Sequence, residues 1–122
     1  MPVQKLSKPA LDKILKGKVK EPATCIVKFY SNSCDLCHNL QQYYQNIAEE
    51  EEYKDLHFFA FNVDDFPPIE RMIGFRGVPT IALFKVGIPH RRTRILQDPD
   101  SPHKATWYTS RYIKEFITKE MG

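Results

Sequence analysis

Two thiols stand three positions apart in Cys34-Asp35-Leu36-Cys37, where a β-branched, aromatic run gives way to a helical pattern. Three cysteines in 122 residues are too few for a disulfide scaffold. A C-x-x-C pair in such a chain serves redox chemistry or metal capture before structural stapling. A thiol placed first on a helix meets unpaired amides and the positive end of the helix dipole. Its thiolate is stabilised there, and its pKa falls from the free value of about 8.5. Cys34 is therefore the expected nucleophile. Cys37, one turn further on and partly shielded, is the thiol expected to resolve a mixed disulfide. His38 completes a Cys-x-x-Cys-His pattern, the attachment signature of c-type haem. Haem attachment of that kind requires export, and the lysines of Met1 to Pro9 have no apolar stretch behind them. Zinc needs four closed ligands, whereas only Cys34, Cys37 and His38 cluster locally. Neither metal nor organic cofactor is called for. His57, His90 and His103 read as surface residues, and Cys25 as a small buried hydrophobe in a strand.

The elements that must hold this pair can be read on either side of it. Thr24 to Tyr30 is rich in β-branched and aromatic residues and predicts a central strand. From Asp35, the residues Leu36, Leu40, Tyr43, Ile47 and Ala48 keep one apolar face, which predicts a long helix to about Glu52. The acids Glu49 to Glu52 would then form a solvated last turn, where the dipole disfavours negative charge. Upstream, Val3 to Leu6 reads as a short strand. A helix follows, capped by Ser7, with Pro9 in its first turn and Gly17 as its stop. Downstream come a strand at His57 to Val63, a short helix carrying Ile69, Met72 and Ile73, and a strand at Thr80 to Val86. A turn at Gly87 to His90 leads to a strand at Arg91 to Leu96. After the loop Gln97 to Tyr108, Thr109 or Ser110 caps a last helix whose Tyr112, Ile113, Phe116 and Ile117 face inward. A strand–helix–strand start requires a parallel crossover, and a closing hairpin adds antiparallel strands. The expected architecture is an α/β domain over residues 1–122, with a mixed sheet of four to five strands and helices on both faces.

Composition sets outer bounds. With 42% hydrophobic and 12% aromatic residues, the chain can bury a core. No apolar run is long enough to span a bilayer. A formal charge of +3 points neither to nucleic acid nor to a membrane surface. The basic segment His90-Arg91-Arg92-Thr93-Arg94 reads as a solvated hairpin.

Val27-Lys28-Phe29-Tyr30-Ser31-Asn32-Ser33-Cys34-Asp35-Leu36-Cys37 resembles the active-site segment of thioredoxins and protein disulfide isomerase domains. Gly74-Phe75-Arg76-Gly77-Val78-Pro79-Thr80-Ile81-Ala82-Leu83-Phe84-Lys85 is similar to the thioredoxin segment that carries a cis-proline. The resemblance runs from about Cys25 to Phe84 and implies a thioredoxin fold. It also implies a cis Val78–Pro79 bond, with Val78, Pro79 and Thr80 beside the cysteines. The Val78 backbone would be free to pair with an extended substrate, giving affinity through main-chain groups. Ser33, Asp35 and Leu36 would form the rest of the substrate edge.

The chain departs from the family at several of these positions. Ser33 stands where the family usually has Trp, so the aromatic lip of the groove is missing. Trp107 either replaces that lip, with Tyr108, or anchors its loop to the core. Asp35 would compete with the thiolate for the same positive field, leaving Cys34 less acidic than in oxidising relatives. Lys28 replaces the buried acid that manages the proton of the second cysteine, and Ala60 replaces its lysine partner. The Lys28 amine either serves Cys37, as charge partner or base, or snorkels to solvent. The resemblance implies a thiol–disulfide oxidoreductase acting on protein disulfides, with a reductase or a small thiol as electron donor. The competing reading is a redox-inactive binding or assembly module of the same fold. A monomer in a reducing cytosol is expected, without nucleic acid or membrane partners.

Overall fold

The computed structural model describes residues 3–87 and 92–121. Five strands form one sheet in the order β1-β3-β2-β4-β5. They are β1 Val3–Lys5, β2 Ala23–Tyr30, β3 His57–Asn62, β4 Thr80–Val86 and β5 Arg92–Ile95. β1, β3 and β2 run parallel, and β4 and β5 add antiparallel. The helices are α1 Lys8–Leu15, α2 Asp35–Ala48, α3 Ile69–Ile73 and α4 Ser110–Met121. Ser7 caps α1 by accepting the Ala10 amide at 3.2 Å, and the Thr109 hydroxyl accepts the Tyr112 amide at the start of α4.

The pleat of β2 divides the core. Cys25, Val27 and Phe29 point to one face and pack with Leu11 and Ile14 of α1 and Ile69 of α3. Ile26 points to the other face, among Leu40, Tyr44 and Ile47 of α2 and Ile113 and Ile117 of α4. Lys28 and Tyr30 share that second face by alternation, so the lysine projects toward the helix that begins at the cysteine pair. Both central strands are apolar on each face because helices cover each side, as a parallel crossover demands.

Several boundaries differ from the expected ones by a residue or more. α2 stops at Ala48 rather than near Glu52. Continuing it would stack four carboxylates on the negative end of the dipole. Instead the chain enters a 3₁₀ turn at Glu51–Tyr53, which buries the Tyr53 ring and sets its hydroxyl 3.2 Å from Thr118 Oγ1. Glu50 is not simply solvated: Lys114 pairs with it at 2.9 Å and ties the turn after α2 to α4. β3 ends at Asn62, whose side chain accepts the Asp64 amide and opens a 3₁₀ turn at Val63–Asp65. β5 is described from Arg92, and the turn expected at Gly87 to His90 lies mostly outside the described residues, as do His90 and Arg91. Arg92 and Arg94 both reach Glu120 on α4, so the described part of the basic segment is partly neutralised.

Candidate active site

The end of β2 feeds directly into the turn that carries the first cysteine. Cys34 is itself the N-cap of α2, with φ −98° and ψ 104°. Its sulfur accepts the Cys37 amide at 3.1 Å. An N-cap is normally an oxygen-bearing side chain. Here the sulfur takes that place and meets an amide that would otherwise be unpaired. The same hydrogen bond favours negative charge on Cys34 once the thiol is free.

Cys34 and Cys37 form a disulfide with Cα atoms 5.2 Å apart, inside the span that a bridge tolerates. The two sulfurs are not equivalent. Cys34 is partly exposed at the helix tip, whereas Cys37 is 2% exposed beneath it. A partner can reach only the first with ease.

The Val78–Pro79 bond is cis. It brings the Val78 carbonyl to 3.7 Å from Cys34 Sγ, 44 residues away in sequence. Gly77 precedes it with φ +76°, in the left-handed region where side chains are disfavoured. Val78 is partly exposed, whereas Pro79 and Thr80 are buried. Thr80 turns inward: its hydroxyl donates to the Gly77 carbonyl at 2.8 Å. That bond uses the hydroxyl's proton within the turn that carries the cis-proline. Ser33 and Asp35 are exposed and Leu36 partly so, all around the Cys34 sulfur.

A polar cluster that the sequence reading missed fixes the turn before Cys34. The Asp64 carboxylate accepts from the Ser31 hydroxyl at 3.1 Å and from the Asn32 amide at 3.3 Å. Ser31 Oγ in turn accepts the Ser33 amide at 3.3 Å. Asn62 Nδ2 donates to Asn32 Oδ1, and His38 Nε2 donates to the Asn32 carbonyl at 2.9 Å. His38 is thus a brace between helix and turn. Among the described residues, no three His, Cys, Asp or Glu side chains gather in a way that would hold a metal ion.

Lys28 is buried to 4% exposure. Its ammonium lies 5.6 Å from the centre of the Tyr30 ring and 5.4 Å from that of Tyr44. Burial lowers its pKa from 10.5 to about 8. The register sets Lys28 opposite Ala60 on β3, as the family resemblance implied, so no acid faces it across the strand pair. Lys28 and Cys37 line one cavity of about 240 Å³ between α2 and the β1 side of the sheet. Cys25, the free thiol, is buried on the opposite face, and burial raises its pKa to about 11. It has no part in the exchange site.

The loop before α4 is anchored by its aromatics. Tyr108 is 1% exposed and stacks with Tyr112. Trp107 adopts φ +66°, packs partly buried against the α2–α4 core, and donates its indole N–H to Asp98 at 3.0 Å. Asp98 borders Thr80 and the Gly74–Arg76 segment, so the indole is tied to a residue beside the cis-proline turn.

A partly exposed sulfur on a helix amide, bonded to a buried partner and flanked by a cis-proline carbonyl, defines a dithiol–disulfide exchange centre. The thioredoxin family model matches residues 3–98. A thioredoxin of Aspergillus fumigatus is 30% identical over 76 residues, covering 62% of this chain and 69% of that protein. One from Acidithiobacillus ferridurans is 33% identical over 70 residues, covering 57% of this chain and 63% of its own length. The thioredoxin structure from Malassezia sympodialis superposes with a TM-score of 0.70 at 18% identity, covering all of this chain and 96% of that one. Chloroplastic thioredoxin z does so at 0.68 and 21%, covering all of this chain and 97% of that one. The chain belongs to the thioredoxin family, and its Cys34–Cys37 pair is the redox disulfide of a thiol–disulfide oxidoreductase.

Proposed function

We propose that this oxidoreductase works as a reductant of protein disulfides, with Cys34 as nucleophile and Cys37 as resolving thiol. The Cys34 thiolate attacks one sulfur of a substrate disulfide. A mixed disulfide forms and one substrate thiolate leaves. Cys37 then loses its proton and attacks Cys34 Sγ, releasing the second substrate thiolate. The substrate gains two electrons and two protons, and the chain is left as the Cys34–Cys37 disulfide. A reductase or a small thiol returns the electrons.

The observation that carries this reading is the position of Cys34 Sγ, 3.7 Å from the Val78 carbonyl and 3.1 Å from the Cys37 amide. An extended substrate pairing with the Val78 backbone would place its disulfide against the accessible sulfur. Lys28 serves the buried thiol as the cationic partner of the Cys37 thiolate, or as its base once deprotonated. The single shared cavity supports that role. Ser33, Leu36 and Val78 form the contact edge, Asp35 biases it against acidic substrates, and Trp107 acts through Asp98. The 122 residues act as one monomeric domain in a reducing cytosol, a setting that suits the buried free thiol of Cys25.

Insulin reduction with a thiol regenerant tests the reading. The wild-type chain is expected to turn over and Cys34→Ser to lose turnover. No turnover in either chain would instead make the domain a binding module.

A further inference from the structure

Among the described residues the Lys28 ammonium has no side-chain acceptor or carboxylate partner; its side chain is 4% exposed and what access it keeps is to one cavity. Its only contacts of note are two aromatic faces. A buried cation with no anion is costly, and proteins normally supply a partner. The cavity it lines holds about 240 Å³ and has no Asp or Glu among its lining residues. Lys5 on β1 adds a second ammonium at the rim. Gln41 and Gln45, on successive turns of α2, line the same space, and neither side-chain amide has a described partner. These groups are all hydrogen-bond donors in whole or part. The remaining wall is Val3 and Ala60 beside the tyrosine rings, with Cys37 and His38 at the α2 end.

We propose that this cavity is a binding site for a small monocarboxylate, its carboxylate seated on Lys28 with help from Gln41, Gln45 and Lys5, and its short carbon stem against Val3 and Ala60. One negative charge matches the one buried cation, and a volume of about 240 Å³ suits a molecule of few heavy atoms. A larger polyanion would bring charge that only the exposed Lys5 could meet. The site lies behind Cys37, away from the exposed Cys34 sulfur, so it is separate from the substrate edge. The proposal does not depend on the reductant reading, because it concerns the oxidised chain and binding rather than turnover.

The test is a titration of the ¹⁵N-labelled, oxidised chain with sodium acetate, followed by amide shifts. Sodium chloride at matched ionic strength and neutral acetamide serve as controls. Saturable shifts at Lys28, Gln41, Gln45 and Ala60, with a Kd on the order of 1 mM, are expected with acetate alone. Lys28→Met should abolish saturation. Ala60→Leu, which fills the cavity from the neighbouring strand and keeps the lysine, should abolish it as well. Because every peptide ends in the same group, acetyl-dialanine with a free terminus is titrated beside acetate. Binding of acetate assigns the site to free acids, and binding of the peptide alone assigns it to chain ends. Shifts that stay linear for both probes, that chloride reproduces, or that survive in both folded variants would overturn the proposal.

Discussion

Replacing Lys28 by methionine should stabilise the chain, and the gain should disappear in alkali. The lysine is 4% exposed, and burial brings its pKa from 10.5 to about 8. Below about pH 8 the folded and unfolded chains both carry the proton, and the folded one bears the whole cost of a buried cation. Between about 8 and 10.5 the folded chain has released a proton that the unfolded chain still holds. Unfolding then binds protons, so the lysine's contribution to stability improves as pH rises through this window. The shift corresponds to about 3 kcal/mol at neutral pH. Methionine keeps most of the apolar stem and fills the space adaptably. Lys28→Met is therefore expected to raise unfolding free energy by about 3 kcal/mol at pH 7, with the gap closing toward zero near pH 10.5. Urea titrations of both oxidised chains at steps of pH measure the difference, in which groups common to the two largely cancel. A gap that stays constant with pH, or a methionine variant less stable at pH 7, would refute the reasoning.

Three further outcomes follow from the site. Asp64→Ala strips the acceptor from the Ser31 hydroxyl and the Asn32 amide, so it should cost about 1–3 kcal/mol in urea unfolding and slow insulin reduction by loosening the turn before Cys34; full activity and stability would remove Asp64 from the site. Thr80→Val deletes the bond to the Gly77 carbonyl from a buried turn and should cost about 1–2 kcal/mol by the same measurement, with no loss expected if that hydroxyl is free for substrate. Asp35→Asn should lower the pH at which Cys34 ionises in thiolate absorbance of the reduced chain, since the carboxylate opposes the helix amide that favours the thiolate; an unchanged titration would show that Asp35 has no such effect.

The start of α2 was legible because one residue does two jobs there. Cys34 ends the extended run and caps the helix, so the change of hydrophobic period and the position of the chemistry coincide. The end of α2 was not, because Leu36, Leu40, Tyr43, Ile47 and Ala48 keep a helical period that runs into the acids Glu49 to Glu52 without a stop signal. Tyr53 is buried from a separate 3₁₀ turn, by contact with α4, and a one-dimensional period cannot register that packing. The same limit hid the Asp64 cluster. Asp64 looked like a turn residue after β3, and Ser31, Asn32 and Ser33 like a linker. They meet only because β2 and β3 are parallel neighbours ending at the same edge, with Tyr30 opposite Asn62. A trace of this was present: three short polar side chains between a buried strand and a helix need partners from elsewhere.

Lys28 shows what lies between these cases. The resemblance placed it beneath Cys37, and the register opposite Ala60 follows from parallel pairing. What it left open was whether the amine snorkels. The stem is buried, and the amine faces the cavity that Val3 and Lys5 of β1 also line. Two tyrosine rings lie near the ammonium there. A cation in the place of the family's acid reverses the electrostatics behind Cys37. An acid there opposes a thiolate and accepts its proton, whereas an ammonium favours the thiolate. Lys28→Asp in reduced protein should accordingly raise the pKa of Cys37, and a variant whose Cys37 ionises no later than the wild type's would show that Lys28 and Cys37 do not interact.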